Sequence, residues 1–340
     1  MAVRMKDIAR DLGVSVVTVS KVLRNHSDIG AETRKRVLKR VKDLNYQPNF
    51  AARAMVTGRT YTVGLVVPDL LHPFFAQVAK GLSSALRKRG YSLILTSSEE
   101  DPELETEEIG RLLARRLDAM VIASAQRTVE IFRRIEEQET PYVLVDRQFV
   151  GLPANFVGVN DESVGEMAVE HLIAVGCRRI AHIRGPQVST ALGRLEGYRR
   201  ALARHNLGPL PDYIPDATAG DNDSEARGGE AMRQLMKLRP RPDGVFCYND
   251  PAAMGAMNAI LDAGLRVPAD IAVIGCGNVH YDASLRVPLS SIDQHSAGIG
   301  ERAAKLALSL IESKTASRPK SIILEPKLVM RASTQKKLSA

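Results

Sequence analysis

The rhythm of apolar positions changes near residue 60. Before it, apolar residues recur at intervals of three and four: Ile8, Ala9 and Leu12, then Val19, Val22 and Leu23, then Val37, Val41 and Leu44. Each set marks one face of an amphipathic helix. Gly13 can take the left-handed conformation that ends the first helix, and Ser15 offers a hydroxyl to cap the second. The second segment is the contested one, because "VSVVTVSKVL" (14–23) holds six β-branched residues in ten and by propensity is a strand. A strand would bury either Val17, Val19 and Lys21 or Val16, Thr18 and Ser20, and neither face is cleanly apolar. The helical period instead sets Val19, Val22 and Leu23 against Ile8 and Leu12, leaving Val16, Val17, Ser20, Lys21 and Arg24 outside. Three helices, the first two joined by a tight turn, form a helix-turn-helix pattern, whose second helix enters the DNA major groove.

From Thr60 onward the pattern is apolar strands alternating with amphipathic helices. "TVGLVVPDL", "SLILTS", "AMVIAS", "YVLVDR", "FVGVND", "RIAHIRG", "GVFCYND", "IAVIGCG" and "SIILEP" read as strands. Helical segments such as "FAQVAKGLSSALRKRG", "VGEMAVEHLIAVG" and "PAAMGAMNAILDAG" separate them. Alternation of this kind implies α/β architecture, with parallel sheets flanked by helices and ligands bound beyond the strands' C-terminal ends. So many strands are too many for one such sheet. The expected division is a helix-turn-helix head over 1–48, a linker over 49–60 and a two-lobed body over 61–340, the N-lobe spanning about 61–161 and 292–322 and the C-lobe about 162–291 and 323–340.

Charge sharpens this picture. The first 59 residues hold 13 Lys and Arg against 5 Asp and Glu, whereas the rest of the 340-residue chain is balanced at 34 of each. A basic head on a neutral body is the footprint of a polyanion-binding module. No apolar run serves as a signal sequence at the N-terminus or as a membrane span later, so a cytoplasmic protein without membrane attachment is expected. The three cysteines, Cys177, Cys247 and Cys276, have no zinc-ligand spacing and read as buried thiols, with no metal or cofactor expected.

"IARDLGVSVVTVSKVLRN", "TRKRVLKRVKDLNYQPNFAAR" and the two-lobed body together resemble the LacI/GalR family of transcriptional regulators over essentially the whole chain. The resemblance implies a repressor that binds pseudo-palindromic operator DNA as a homodimer and carries a periplasmic-binding-protein-like effector domain. By position it assigns Val16, Val17 and Lys21 to base reading and Thr18 and Ser20 to phosphates, with Ser15 and Arg24 at either end of the same helix. Valines cannot hydrogen-bond, so Val16 and Val17 would meet thymine methyls and leave Lys21 as the main donor toward guanine. Pro48 closes the third helix and Asn49 can cap a short hinge helix over 50–56. There the resemblance implies that Met55, where leucine is usual, wedges into the minor groove, with Arg53 near its phosphates. A simple linker is the alternative for Met55, and core packing for the valines.

Effector contacts are expected just past strand ends: Asp69, His72 and Phe74 after the first strand, Asp146 and Arg147 after "YVLV", and Asp161 after "FVGVN". In the second lobe Ser189, Thr190 and Arg194 lie in "GPQVSTALGRLEGY", Asn249 and Asp250 follow "GVFCY", and Asn278 follows "IAVIGCG". The family motif makes Arg194, Asn249 and then Asp146 the leading candidates. A helix cap or an ion pair between lobes is the alternative at each. Sugar-sensing relatives commonly carry an acidic residue where this chain has Gly277. Its loss would leave Arg147, Arg194 and Arg184 less opposed and favour a sugar acid over a neutral sugar. Phe74, Tyr248 and Tyr281 are the aromatic platforms available to a sugar.

Two other readings compete. Gly275-x-Gly277 after a strand is how a dinucleotide-binding loop begins, but the third glycine is absent and Pro288 limits a following helix. A nicotinamide enzyme would also leave the basic head unexplained. An exported solute-binding protein shares the body but needs a leader. No hydrolase or nucleotidase motif occurs, so no enzyme is expected. The C-terminal "RASTQKKLSA" has no leucine heptad to build a tetramer.

Overall fold

The computed structural model describes residues 3–23, 26–47, 54, 58–208, 210–215, 223–313 and 318–335. The chain divides into two compact units, Met1–Thr60 and Tyr61–Ala340, each with its own apolar core.

In the first unit, helices α1 (Met5–Leu12), α2 (Val16–Leu23) and α3 (Ala31–Asp43) close around Ile8, Ala9, Val19, Val22, Val37 and Tyr46. Gly13 ends α1 in the left-handed region at φ 66°, and Ser15 Oγ accepts from Thr18 N at 3.0 Å to start α2. The β-propensity of α2 spans at most about 1 kcal/mol per residue, whereas burying each of Val19 and Val22 contributes about 1.5–3 kcal/mol. Packing therefore overrides propensity and the stretch is a helix.

The second unit holds strands β1 (Thr62–Val67), β2 (Ser92–Ser97), β3 (Ala119–Ile122), β4 (Tyr142–Val145), β5 (Asn155–Val159), β6 (Ile180–Ile183), β7 (Gly244–Cys247), β8 (Ala272–Cys276), β9 (Ser290–Asp293), β10 (Ser321–Leu324) and β11 (Lys327–Val329). They form two sheets, ordered β10-β5-β4-β3-β1-β2 and β11-β9-β8-β7-β6. Every pair is parallel except β11 against β9. Helices α4 (Pro73–Arg87), α5 (Pro102–Ala114), α6 (Glu130–Glu137) and α11 (Ser296–Glu312) flank the first sheet. Helices α7 (Asp161–Ala174), α8 (Ser189–Arg204), α9 (Ser224–Lys237) and α10 (Asp250–Asp262) flank the second. The central strands are buried on both faces, as their unbroken apolar runs require. This is the α/β two-lobed architecture expected from the alternation.

Two details differ from the sequence reading. "SSID" is a buried strand although half of it is serine, because its hydroxyls have partners: Ser290 Oγ donates to Arg331 O at 3.0 Å and Ser291 Oγ to Asp250 Oδ1 at 2.6 Å. β11 is likewise an additional strand. Since β9 pairs with β8 through Cys276↔Ile292, and β10 with β5 through Leu324↔Val159, the lobe crossings lie past residue 293 and between 324 and 327 rather than at 291/292 and 322/323. Among the described residues no helix is long and apolar enough to cross a membrane.

Candidate functional site

The head presents a surface of α2 that its core leaves over. Val16 is 42% and Val17 61% exposed, against 0% for Val19 and 2% for Val22. Thr18 is exposed, its Oγ1 2.9 Å from Ser15 Oγ, and Ser20 is half-buried. Lys21 Nζ donates to Asp28 Oδ2 at 2.5 Å, and this ammonium holds the Asp28 carboxyl below the usual range. The other DNA-facing candidates, Arg24, Asn49, Arg53 and Met55, and with them the hinge segment 50–56 apart from Ala54, lie outside the described residues. Across α1 and α3, Arg40 pairs with Asp11 and Arg36 Nη2 donates to Leu12 O at 3.1 Å, so some of the basic side chains brace the head itself.

In the second unit, the strand ends of both lobes enclose a cavity of about 300 Å³. Asp69, His72, Phe74, Asp146, Arg147, Thr190, Arg194 and Asn249 all line it. Each stands where a helix or loop begins past a parallel strand. His72 caps α4, with Nδ1 accepting from Phe74 N at 3.3 Å, and Asn249 caps α10, with Oδ1 accepting from Ala252 N at 2.9 Å. The two meet across the lobes, where Asn249 Nδ2 lies 3.0 Å from His72 Nε2. Both imidazole nitrogens face N–H groups and Arg147 is near. Burial first, then that charge, pushes the His72 pKa down to about 4, so the ring is neutral.

Arg147 and Arg194, expected to be less opposed for want of an acid at Gly277, are each paired with a carboxylate. Arg147 makes a two-pronged pair with Glu100, at 2.8 Å from Nη1 and 2.5 Å from Nη2, and also reaches Ser124 O at 3.1 Å. Arg194 Nε donates to Asp161 Oδ1 at 3.0 Å and Nη1 to Tyr248 O. Asp161 therefore stands behind the wall, holding Arg194, and does not line the cavity. Burial raises the Asp146 carboxyl despite the neighbouring arginines.

Asn278 also lies away from this cavity. Its side chain donates to Asp293 Oδ2 at 3.3 Å and accepts from Arg331 Nη2 at 2.7 Å, tying β8 to the C-terminal segment. Tyr281 is not in the wall, but Tyr248 is, its hydroxyl 2.6 Å from Ser224 Oγ. The dinucleotide motif dissolves in the same region. A Cβ at Gly275 would collide with the buried Asp250 carboxylate, which accepts from Ser291 Oγ and Val279 N. Those glycines make room for the Asp250 side chain, which fills the place a pyrophosphate would need.

Sequence reasoning missed Glu99, Glu100, Ser224, Arg227, Cys276 and Gln294 in the wall. Glu99 and Glu100 follow β2, so the strand-end rule applied evenly would have found them, whereas Gln294 follows β9, a strand the apolar pattern did not announce. Ser224 and Arg227 sit in the first turns of α9, which no preceding strand announces.

Comparison with known proteins agrees with this arrangement. A profile of bacterial regulatory proteins of the lacI family matches residues 4–49, and one of a periplasmic binding protein-like domain matches 169–334. The HTH-type transcriptional repressor PurR of Mannheimia succiniciproducens is 32% identical over 98% of both chains. The ribose operon repressor of Escherichia coli is 34% identical over 97% of this chain and 99% of its own. Among solved structures, a Lac repressor dimer bound to operator and an anti-inducer superposes with a TM-score of 0.84 at 27% identity, covering 98% of this chain and 99% of that one. The parallel two-lobed sensor, the helix-turn-helix head and these full-length likenesses agree, and the chain belongs to the lacI family of bacterial regulatory proteins.

Proposed function

We propose that the protein represses transcription from a pseudo-palindromic operator as a cytoplasmic homodimer, and that a sugar or sugar acid bound between its lobes sets its affinity for that DNA. The reading rests above all on one chain joining an α2 surface with exposed Val16 and Val17 to a sensor whose wall draws on both lobes. One α2 reads one half-site, so two-fold DNA calls for two heads. The operator-bound Lac repressor dimer supports that assembly.

On DNA, Lys21 exchanges Asp28 for a base or phosphate, Thr18 and Ser20 meet phosphates, and the two valines read thymine methyls and groove shape. In the sensor, Arg194, Asn249, His72 and Asp146 offer donors and acceptors from both lobes to one ligand. Replacing the His72–Asn249 contact with ligand contacts changes the angle between lobes and shifts the balance between DNA-competent and free states.

The test is selection of bound sequences from random duplex DNA by the purified full-length protein, repeated with neutral sugars and sugar acids. A palindromic consensus whose recovery changes with one of these compounds supports the reading. No enrichment over input, or enrichment indifferent to every compound, overturns it.

A further inference from the structure

The cavity wall is electrically lopsided. Among the described residues that line it, the four carboxylates, Asp69, Glu99, Glu100 and Asp146, all belong to the first lobe. The second lobe contributes Arg194 and Arg227 and no carboxylate. Arg194 is balanced by Asp161 behind the wall, but Arg227 has no carboxylate partner among the described residues; its Nη2 donates to Tyr248 Oη at 3.3 Å. The buried polar side-chain atoms of the wall that lack a hydrogen-bond partner share one polarity. They are Arg227 Nε, Gln294 Nε2 and Arg147 Nε, all N–H donors. Burying a donor without an acceptor is destabilising, so this wall is built to be completed by acceptors.

We propose that the effector is a monosaccharide acid, an aldonate or uronate, whose carboxylate sits against Arg227 and Gln294 on the second lobe while its hydroxyls donate to Asp146 and Asp69 on the first. This rests on the sensor reading given above and names the class of ligand for that cavity. A planar carboxylate matches the guanidinium fork. A phosphate near neutral pH carries close to two charges, and of the two second-lobe arginines on this wall Arg227 alone is without a carboxylate partner among the described residues. A cavity of about 300 Å³ suits one sugar ring or open-chain acid rather than an oligosaccharide. A neutral sugar would satisfy Asp146 but bring no charge to Arg227.

Isothermal titration of the full-length protein, without DNA, tests this against gluconate, galactonate, glucuronate and galacturonate, their parents glucose and galactose, and glucose 6-phosphate. Binding of at least one acid is expected, at least tenfold tighter than its neutral parent and than the phosphate. Arg227→Leu should weaken that acid by about 10- to 100-fold, the usual effect of removing a charged hydrogen-bond donor, and Arg227→Lys by less. If the leucine variant does not fold, as judged by its thermal unfolding, Arg227→Gln carries the same comparison. Binding of none of the acids, equal binding of a neutral parent or the phosphate, or undiminished binding of the acid to a folded Arg227 variant overturns the proposal. Acid binding by a protein that selects no DNA sequence would instead overturn the regulator reading and leave the carboxylate seat standing.

Discussion

At the scale of single residues, neighbours in the sequence are set to opposite tasks. Val19 is buried and Val17 exposed although only one residue separates them. Val19→Asp would bury an unpaired carboxylate and should cost about 4 kcal/mol or more, unfolding the head while titration shows effector binding unchanged. Lys21→Ala removes a long donor beside the apolar Val16 and Val17, so site selection should return a degenerate base at one position of each half-site while overall affinity falls only modestly. Arg194 allows a finer separation of roles. Arg194→Leu alone strands Asp161 and should lower the unfolding temperature, by an amount equivalent to about 3–5 kcal/mol. The double variant Arg194→Leu, Asp161→Leu should recover most of that stability and none of the effector affinity. Recovery of both would make the arginine a brace only. Residues just past apolar strands were legible because parallel sheets put ligands there; Asp161 and Asn278 obeyed the same rule yet were claimed by partners, Arg194 and Arg331, that no local pattern announces.

At the scale of elements, apolar alternation revealed the strands of both lobes, and it failed where a strand was paired through side-chain hydroxyls. β9 is half serine, and its burial depends on Asp250, Arg331 and Thr334, which lie far from it in sequence. The helices that carry the cavity residues are placed by close backbone contact. α7 and α8 cross at Gly165 and Gly197, and a Cβ at Gly197 would strike Glu162 O. Gly197→Val should therefore push α8 off α7, moving Thr190 and Arg194 together. Its effector affinity should drop by at least tenfold in titration, whereas head-only properties such as the salt dependence of DNA binding stay as they are.

At the scale of the whole molecule, charge and protonation set the working range. The excess of eight positive charges lies in the first 59 residues, so the logarithm of DNA affinity should fall with the logarithm of salt at about −0.9 per phosphate neutralised. A salt-independent affinity would contradict binding through that head. The body has an opposite sensitivity to acid. His182 is fully buried, its Nδ1–H donating to Phe246 O at 3.0 Å between the rings of Phe246 and Tyr198, and burial pushes its pKa down to about 4. The unfolded chain then takes up a proton that the folded one refuses. Stability is complete above about pH 6.5 and is lost as pH falls toward 4, by up to about 3 kcal/mol for this residue. Thermal unfolding between pH 7 and 4.5 should show the decline, and His182→Phe should lessen it, leaving the part that buried His72 contributes.

The interleaving of the lobes also has a consequence for synthesis on the ribosome. The head ends at Thr60 and can be complete while most of the chain is unmade, but the first sheet waits for β10, which arrives only with residues 321–324. A message cut short near codon 315 would thus yield a polypeptide with every residue of its DNA-reading head and a sensor lacking an edge strand of one sheet and, in β11, an edge strand of the other. Such a product would occupy an operator and ignore the metabolite, so late truncations should behave as alleles indifferent to the effector rather than as simple losses.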